Sequence, residues 1–160
     1  MTTETPAGTY AAFRLTEEAE AKLHAFVTSI LPDSLPLEAP EEYHITTTYS
    51  RQVIDYKPQP QTMAGAIAVS YEYFGREDKP PVLVLRVEHP LLHISHQNAL
   101  ALGATHDFPD YLPHITLTKK LVSRSVDLKN LPLPSWPIEL GAEYTNDLRK
   151  EDFEQEGELL

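Results

Sequence analysis

The sequence predicts an α+β fold of two similar lobes around a central cleft. Three observations carry that expectation. A strand–helix–strand pattern occurs twice, over residues 8–49 and 82–119. The third element of each copy holds the same tripeptide, His-Ile-Thr, at 44–46 and 114–116. The length, 160 residues, supplies one domain's worth of core. Each lobe is expected to be an antiparallel sheet with a helix on its outer face.

The elements follow in order. Residues 1–7 are polar and read as a loose end. Gly8 to Leu15 reads as a strand. Thr16 is a good helix N-cap, with Glu17 and Glu18 in the first turn, where the helix dipole favours negative charge. Leu23, Phe26, Val27 and Ile30 recur at helical spacing, and Pro32 ends that helix. Residues 32–40 form a loop, 43–49 a strand, and 51–61 a Pro/Gln-rich loop. A β-rich run covers 63–74, followed by a charged hairpin turn at 75–81 and a buried strand at 82–87. Pro90 suits the first position of a helix over 90–102, and Gly103 suits its C′ position. A loop at 104–112 leads to a strand at 113–119. Residues 138–145 form the last strand, and the acidic end, 147–160, is a short helix or a frayed tail.

Composition narrows the function. Thirteen Lys+Arg against 24 Asp+Glu give a net charge of −11. Long nucleic acid is not an expected partner, because neutralising its phosphates takes a basic stripe. A small anion needs only a few local donors. There is no cysteine, hence no disulfide framework and no thiolate site. No apolar run reaches the ~18 residues of a spanning helix, and the N-terminus lacks the parts of a signal peptide. A soluble cytoplasmic protein without membrane contact is expected.

Alternate residues of a strand share a face. His44, Thr46 and Thr48 are therefore expected on one face, with Tyr43, Ile45 and Thr47 on the other. In the second copy His114, Thr116 and Thr118 share a face, opposite Ile115 and Leu117. Two equivalent strands can present two imidazoles and two hydroxyls to one cleft. That set suits phosphodiester cleavage without a metal. One neutral imidazole takes a proton from an attacking hydroxyl, and a protonated one gives a proton to the leaving oxygen. The Thr hydroxyls can hydrogen-bond the non-bridging oxygens as charge builds. A single His-x-Thr carries little information; two copies with matched parity carry much more.

Paired His-x-Thr motifs about 70 residues apart in a duplicated α+β domain resemble the 2H phosphoesterases. Within them the chain is most similar to the phage anti-CBASS cyclic oligonucleotide phosphodiesterases. The residues that carry this are Gly8-Thr9-Tyr10, the run from His44 to Arg51, and Pro113 to Thr118. The resemblance spans roughly residues 8–145. It implies the two-lobed 2H phosphoesterase fold in one domain over 1–160. It implies catalytic roles for His44, Thr46, His114 and Thr116. It further implies no metal or other cofactor, a cyclic di- or trinucleotide substrate, and no obligate protein partner. The attacking group would be a ribose 2′-hydroxyl beside the 3′-phosphate, acting in the cytoplasm of an infected cell. The near-equivalence of the two copies leaves open which His is base and which is acid. Two rival readings are a 2H esterase on RNA ends, opening 2′,3′-cyclic phosphates or cleaving 2′-5′ linkages, and a non-catalytic sponge for the signal.

Three further residues are candidates for holding substrate. Tyr10 lies on a strand beside the catalytic ones and can stack a base or pack the core. The related enzymes have a nucleotide-contacting tyrosine near this position. Phe74 ends a long strand beside Gly75 and can cap a base or cover the core edge. Glu143 can accept from an exocyclic amine or stand at the solvated surface, and the family has a recognition glutamate in this region. Arg51 can reach a phosphate or sit in a surface ion pair. Phe108 and Tyr111 can form a lid or anchor their loop. His89, His93 and His96 fall on one helical face, with His106 or Asp107 as a conceivable fourth ligand, but a polar helix face explains the pattern without metal.

Overall fold

The computed structural model describes residues 5–60, 64–75, 79–108, 110–119, 121 and 123–154. The strands are β1 (Gly8–Leu15), β2 (His44–Ser50), β3 (Gly65–Phe74), β4 (Val82–Glu88), β5 (His114–Thr118) and β6 (Ile138–Leu148). The helices are α1 (Glu17–Ile30), α2 (Pro90–Ala101) and α3 (Lys150–Glu154).

Local chemistry explains the boundaries. The Thr16 hydroxyl accepts from the Ala19 N–H at 3.2 Å, satisfying one orphan donor of α1. Pro90 opens α2, and Gly103 sits past its end at φ +100°, a conformation that side chains resist. The N-cap of α2 is His89, whose ring accepts from the Leu91 N–H at 3.0 Å. β2 begins at His44 rather than at 43, because Tyr43 closes a 3-10 turn over Pro40–Glu42. β6 runs to Leu148, three residues past its expected end, since its register with β1 continues to Gly8↔Leu148. The expected strand start at residue 63, the middle of the 75–81 turn (76–78), and residues 1–4 and 155–160 lie outside the described residues.

The strands form one antiparallel six-stranded sheet in the order β2-β1-β6-β3-β4-β5. The two lobes are halves of this sheet, joined where Gly65 and Ala66 of β3 pair with Glu139 and Ile138 of β6. An approximate dyad between β6 and β3 relates β1 to β4 and β2 to β5. The two His-Ile-Thr strands are therefore the two sheet edges, and they come into contact with each other. A continuous core runs beneath both halves, through Phe13, Leu23, Val27, Ile45, Leu85, Leu92, Ile115 and Leu140. One expectation for the helices needs correcting. α1 lies against β1 and β6 of its own half, whereas α2 packs against β2 of the other half.

Both motif strands are bulged at equivalent places. Thr46 pairs with Ala12 but Thr48 with Ala11, leaving Thr47 as the extra residue. Likewise Thr116 pairs with Val84 but Thr118 with Leu83, leaving Leu117 extra. An extra residue reverses the alternation beyond it. This corrects the expected faces of Thr48 and Thr118. Both are 1% exposed or less, and Thr118 lies across from the fully buried Leu83. Tyr49, not Thr48, returns to the face of His44 and Thr46, where it pairs with Tyr10.

Candidate active site

Each motif histidine sits at the first residue of its edge strand, across from an arginine: His44 opposite Arg14 and His114 opposite Arg86. The ring geometry is the same in both copies. His44 Nδ1 lies 2.8 Å from the Glu42 carbonyl oxygen, and His114 Nδ1 lies 2.8 Å from that of Leu112. A carbonyl only accepts, so Nδ1 carries the proton in each, and Nε2 is left as the nitrogen that gains or loses one. Thr46 and Thr116 follow on the same face two residues later, each just before its bulge.

The arginines differ. Arg86 is bound to Glu72 at 3.1 Å and Glu88 at 3.6 Å. Arg14 has Glu20 at 3.9 Å and a side chain more than half exposed. Tyr144 stands in its half where Glu72 stands in the other, by the shared register with Ala12 and Val84.

A cavity of about 420 Å³ lies between the halves. Thr46 and Tyr49 from the first motif strand, His114 from the second, and Tyr73, Phe74, Phe108 and Tyr111 line it. A second cavity, of about 510 Å³, is lined by Tyr10, Arg14, His44, Tyr144 and Asn146, so the two motif histidines line different cavities, His44 this one and His114 the first. Phe74 meets the His114 ring edge-on, with centroids 4.7 Å apart. Tyr10 is buried among His44, Tyr49 and Tyr144, and its hydroxyl shares a 3.0 Å hydrogen bond with the Thr46 hydroxyl. Burial, reinforced by Tyr144, pushes the Tyr10 phenol well above its ordinary range, so it stays protonated.

Glu143 stands elsewhere. It is 4% exposed and lines neither cavity. Its carboxylate accepts from the Thr47 hydroxyl at 2.6 Å, the Tyr56 hydroxyl at 2.7 Å and the Gln59 N–H at 2.9 Å. Of its two open placements, the solvated surface is thus ruled out; it anchors the bulge residue of β2 from behind. Arg51 forms a two-pronged ion pair with Asp107 at 3.0 Å. Phe108 stands half exposed at the cavity rim.

The three helix histidines have separate duties. His89 caps α2, His93 Nε2 meets Glu88 at 2.6 Å, and His96 Nδ1 donates to the Thr47 carbonyl at 2.7 Å. Among the described residues, no group of three or more His, Cys, Asp or Glu is placed to hold a metal ion. None of their helices is long and apolar enough to cross a membrane.

Sequence reasoning missed the support under β2: His96, Tyr56 and the bulge at Thr47. No local signal marks these residues, because each acts through a partner 49 to 96 positions away.

Comparison with solved structures gives the same architecture. E. coli LigT, a 2H phosphoesterase, in the crystal structure with 3′-AMP superposes with a TM-score of 0.57 at 15% identity, covering 91% of this chain and 97% of that one. Its apo form gives 0.51. Among curated sequences, the anti-CBASS protein Acb1 of Enterobacteria phage T4 is 33% identical over 145 residues, 89% of each chain. That of Yersinia phage phiR1-RT is 35% identical over 121 residues, 74% of this chain and 73% of its own. That of Vibrio phage KVP40 is 32% identical over 111, covering 69% and 72%. With residues 7–156 matching the family described as anti-CBASS protein Acb1, and with a 2H phosphoesterase fold beneath the match, the chain belongs to the Acb1 family.

Proposed function

We propose that the protein is a phosphodiesterase that opens cyclic di- and trinucleotide signals of the CBASS antiphage response, in the cytoplasm of the infected bacterium. The observation that supports this best is the doubling of one proton-transfer unit. Two histidines, each with Nδ1 fixed by a carbonyl two residues back, stand on two sheet edges that contact each other; His114 lines the cavity between the halves, and Thr46, two residues after His44, lines it from the other edge. A phosphodiester transfer needs one proton removed and one delivered, and two such groups supply both.

The 2′-hydroxyl beside the scissile 3′-phosphate is already held near phosphorus, which gives it a high effective concentration. One of His44 and His114 takes its proton as the 2′-oxygen bonds to phosphorus. The other gives a proton to the 5′-oxygen as the P–O5′ bond breaks. The Thr46 and Thr116 hydroxyls stabilise the non-bridging oxygens. The product is a linear oligonucleotide ending in a 2′,3′-cyclic phosphate. Proton transfer and charge stabilisation both come from these side chains, so the proposed route uses no metal. Phe74, beside His114, supplies apolar ring surface for a base, and Tyr10, buried beside His44, holds Thr46 through its hydroxyl. Glu143 serves the same site indirectly, by holding Thr47.

The test pairs two cyclic dinucleotides, with ribose or 2′-deoxyribose at the cleaved linkage, each with measured binding and each assayed in excess EDTA. The ribose substrate is expected to be cleaved, and the deoxy analogue to bind and resist. Equal cleavage of both would make water the nucleophile and overturn the mechanism. Recovery of both ligands intact would leave a sponge.

A further inference from the structure

The loop at 104–112 enters β5, yet it is fastened to β2. The Thr105 N–H donates to the Ser50 hydroxyl at 3.1 Å, and the Arg51 N–H donates to the Thr105 hydroxyl at 2.7 Å. Arg51 and Asp107 add their ion pair. Three residues before His114, the Tyr111 hydroxyl donates to the Thr46 carbonyl at 2.7 Å. That single bond spans both motifs. The Tyr111 ring stacks on His96, with centroids 4.3 Å apart and planes 13° apart, and His96 donates to the next carbonyl, that of Thr47.

The clasp is reciprocal at the bulges. The carbonyl of the extra residue in β2, Thr47, takes its donor from α2 in the second half. The carbonyl of the extra residue in β5, Leu117, takes the Glu38 N–H, at 2.8 Å, from the first half. A bulge frees a carbonyl from the regular ladder. Here each freed carbonyl is spent on the opposite half.

We infer that Tyr111 is a positioning residue, which with His96 fixes the gap between the two His-Ile-Thr strands and so the span between proton donor and acceptor. The inference deepens the proposed phosphodiesterase reading and rests on it for its kinetic consequence. The geometric consequence stands without it. Burial pushes the Tyr111 phenol far above its ordinary range, with Glu143 and Glu88 adding, so it stays a donor at any working pH.

The experiment uses Tyr111→Phe, which removes one oxygen and keeps the ring stack, and His96→Phe, which removes the neighbouring donor. Wild type is first assayed on the cyclic dinucleotide panel, so that absence of any turnover marks failure of the functional reading alone. Hydrogen exchange is then measured on β2 without substrate. Tyr111→Phe is expected to speed exchange across residues 45–48 by roughly 10-fold, as a clasped edge strand loses a tie. Unchanged exchange overturns the clasp, whatever the activity.

For active wild type, kcat per molecule able to bind the 2′-deoxy analogue should fall roughly 10-fold in Tyr111→Phe, because small misplacements at a reacting centre are costly. KM and analogue affinity should stay within about two-fold. Adding His96→Phe should cost less than the product of the single losses, since both act on one strand. A rise in KM at constant kcat would make Tyr111 a substrate contact and overturn the positioning role. Fully multiplicative losses would overturn the joint action of the two residues.

Discussion

At the scale of single residues, the two histidines were legible because the sequence repeats them in the same context. Their partners were not, since nothing near His44 or His114 announces that a carbonyl two residues back will fix the ring. Removing either imbalances proton transfer without emptying the cavity. His44→Ala and His114→Ala are each expected to lower kcat/KM by at least ~10²-fold, the scale of one general acid or base. The 2′-deoxy analogue should still bind both variants, as calorimetry can check. Near-full turnover in either would end the paired acid–base account. Glu143 teaches the opposite lesson. Its type and place near the end of the chain fit a base-contacting role, but three donors converge on it from residues 47, 56 and 59, and that convergence exists only in three dimensions.

At the scale of elements, caps and breakers fixed what local chemistry can fix. Thr16, Pro90 and Gly103 each mark a helix end where expected. The bulges escaped, because an extra residue is visible only against the partner strand; the alternation rule therefore misplaced Thr48 and Thr118. Register also makes Gly8 a critical position. A Cβ there would collide with the Ser50 carbonyl oxygen on β2 and lie 2.9 Å from the Phe153 ring. Gly8→Ala is expected to spread the β1–β2 edge and cost about 1–3 kcal/mol. In a domain of this size that is a fall in Tm of roughly 2–12 °C, readable by thermal melting. An unchanged Tm would show that the edge yields freely.

At the scale of the whole molecule, the duplication predicted two lobes, and they are present as halves of one sheet. What the duplication could not show is how the halves are joined: β6 beside β3, α2 reaching under β2, and a histidine buried at the seam. Burial holds the His96 pKa below its ordinary 6.5, with His106 and His93 adding and the Thr47 carbonyl pulling the other way. The unfolded chain therefore takes the proton first. The stability this gives is full above about 6.5 and is lost as pH falls toward the folded value. Tm is expected to drop between pH 7 and 5.5, and to drop less in His96→Asn. An equal drop in both would assign the acid sensitivity to other groups.

The strand order has a further consequence, for how the chain comes into being. The second half, β3 to β5, is one unbroken stretch, residues 65–118, whereas the first half needs β6, the last strand in chain order, to flank β1. During synthesis the second half can pair with itself while β1, α1 and β2 form only a two-stranded unit with one helix, lacking the strand that flanks β1 in the finished sheet. Only when residues 138–148 leave the ribosome can β1 dock and the sheet become continuous. The sheet that carries both edges is thus complete only once its last strand in chain order, β6, stands between β1 and β3.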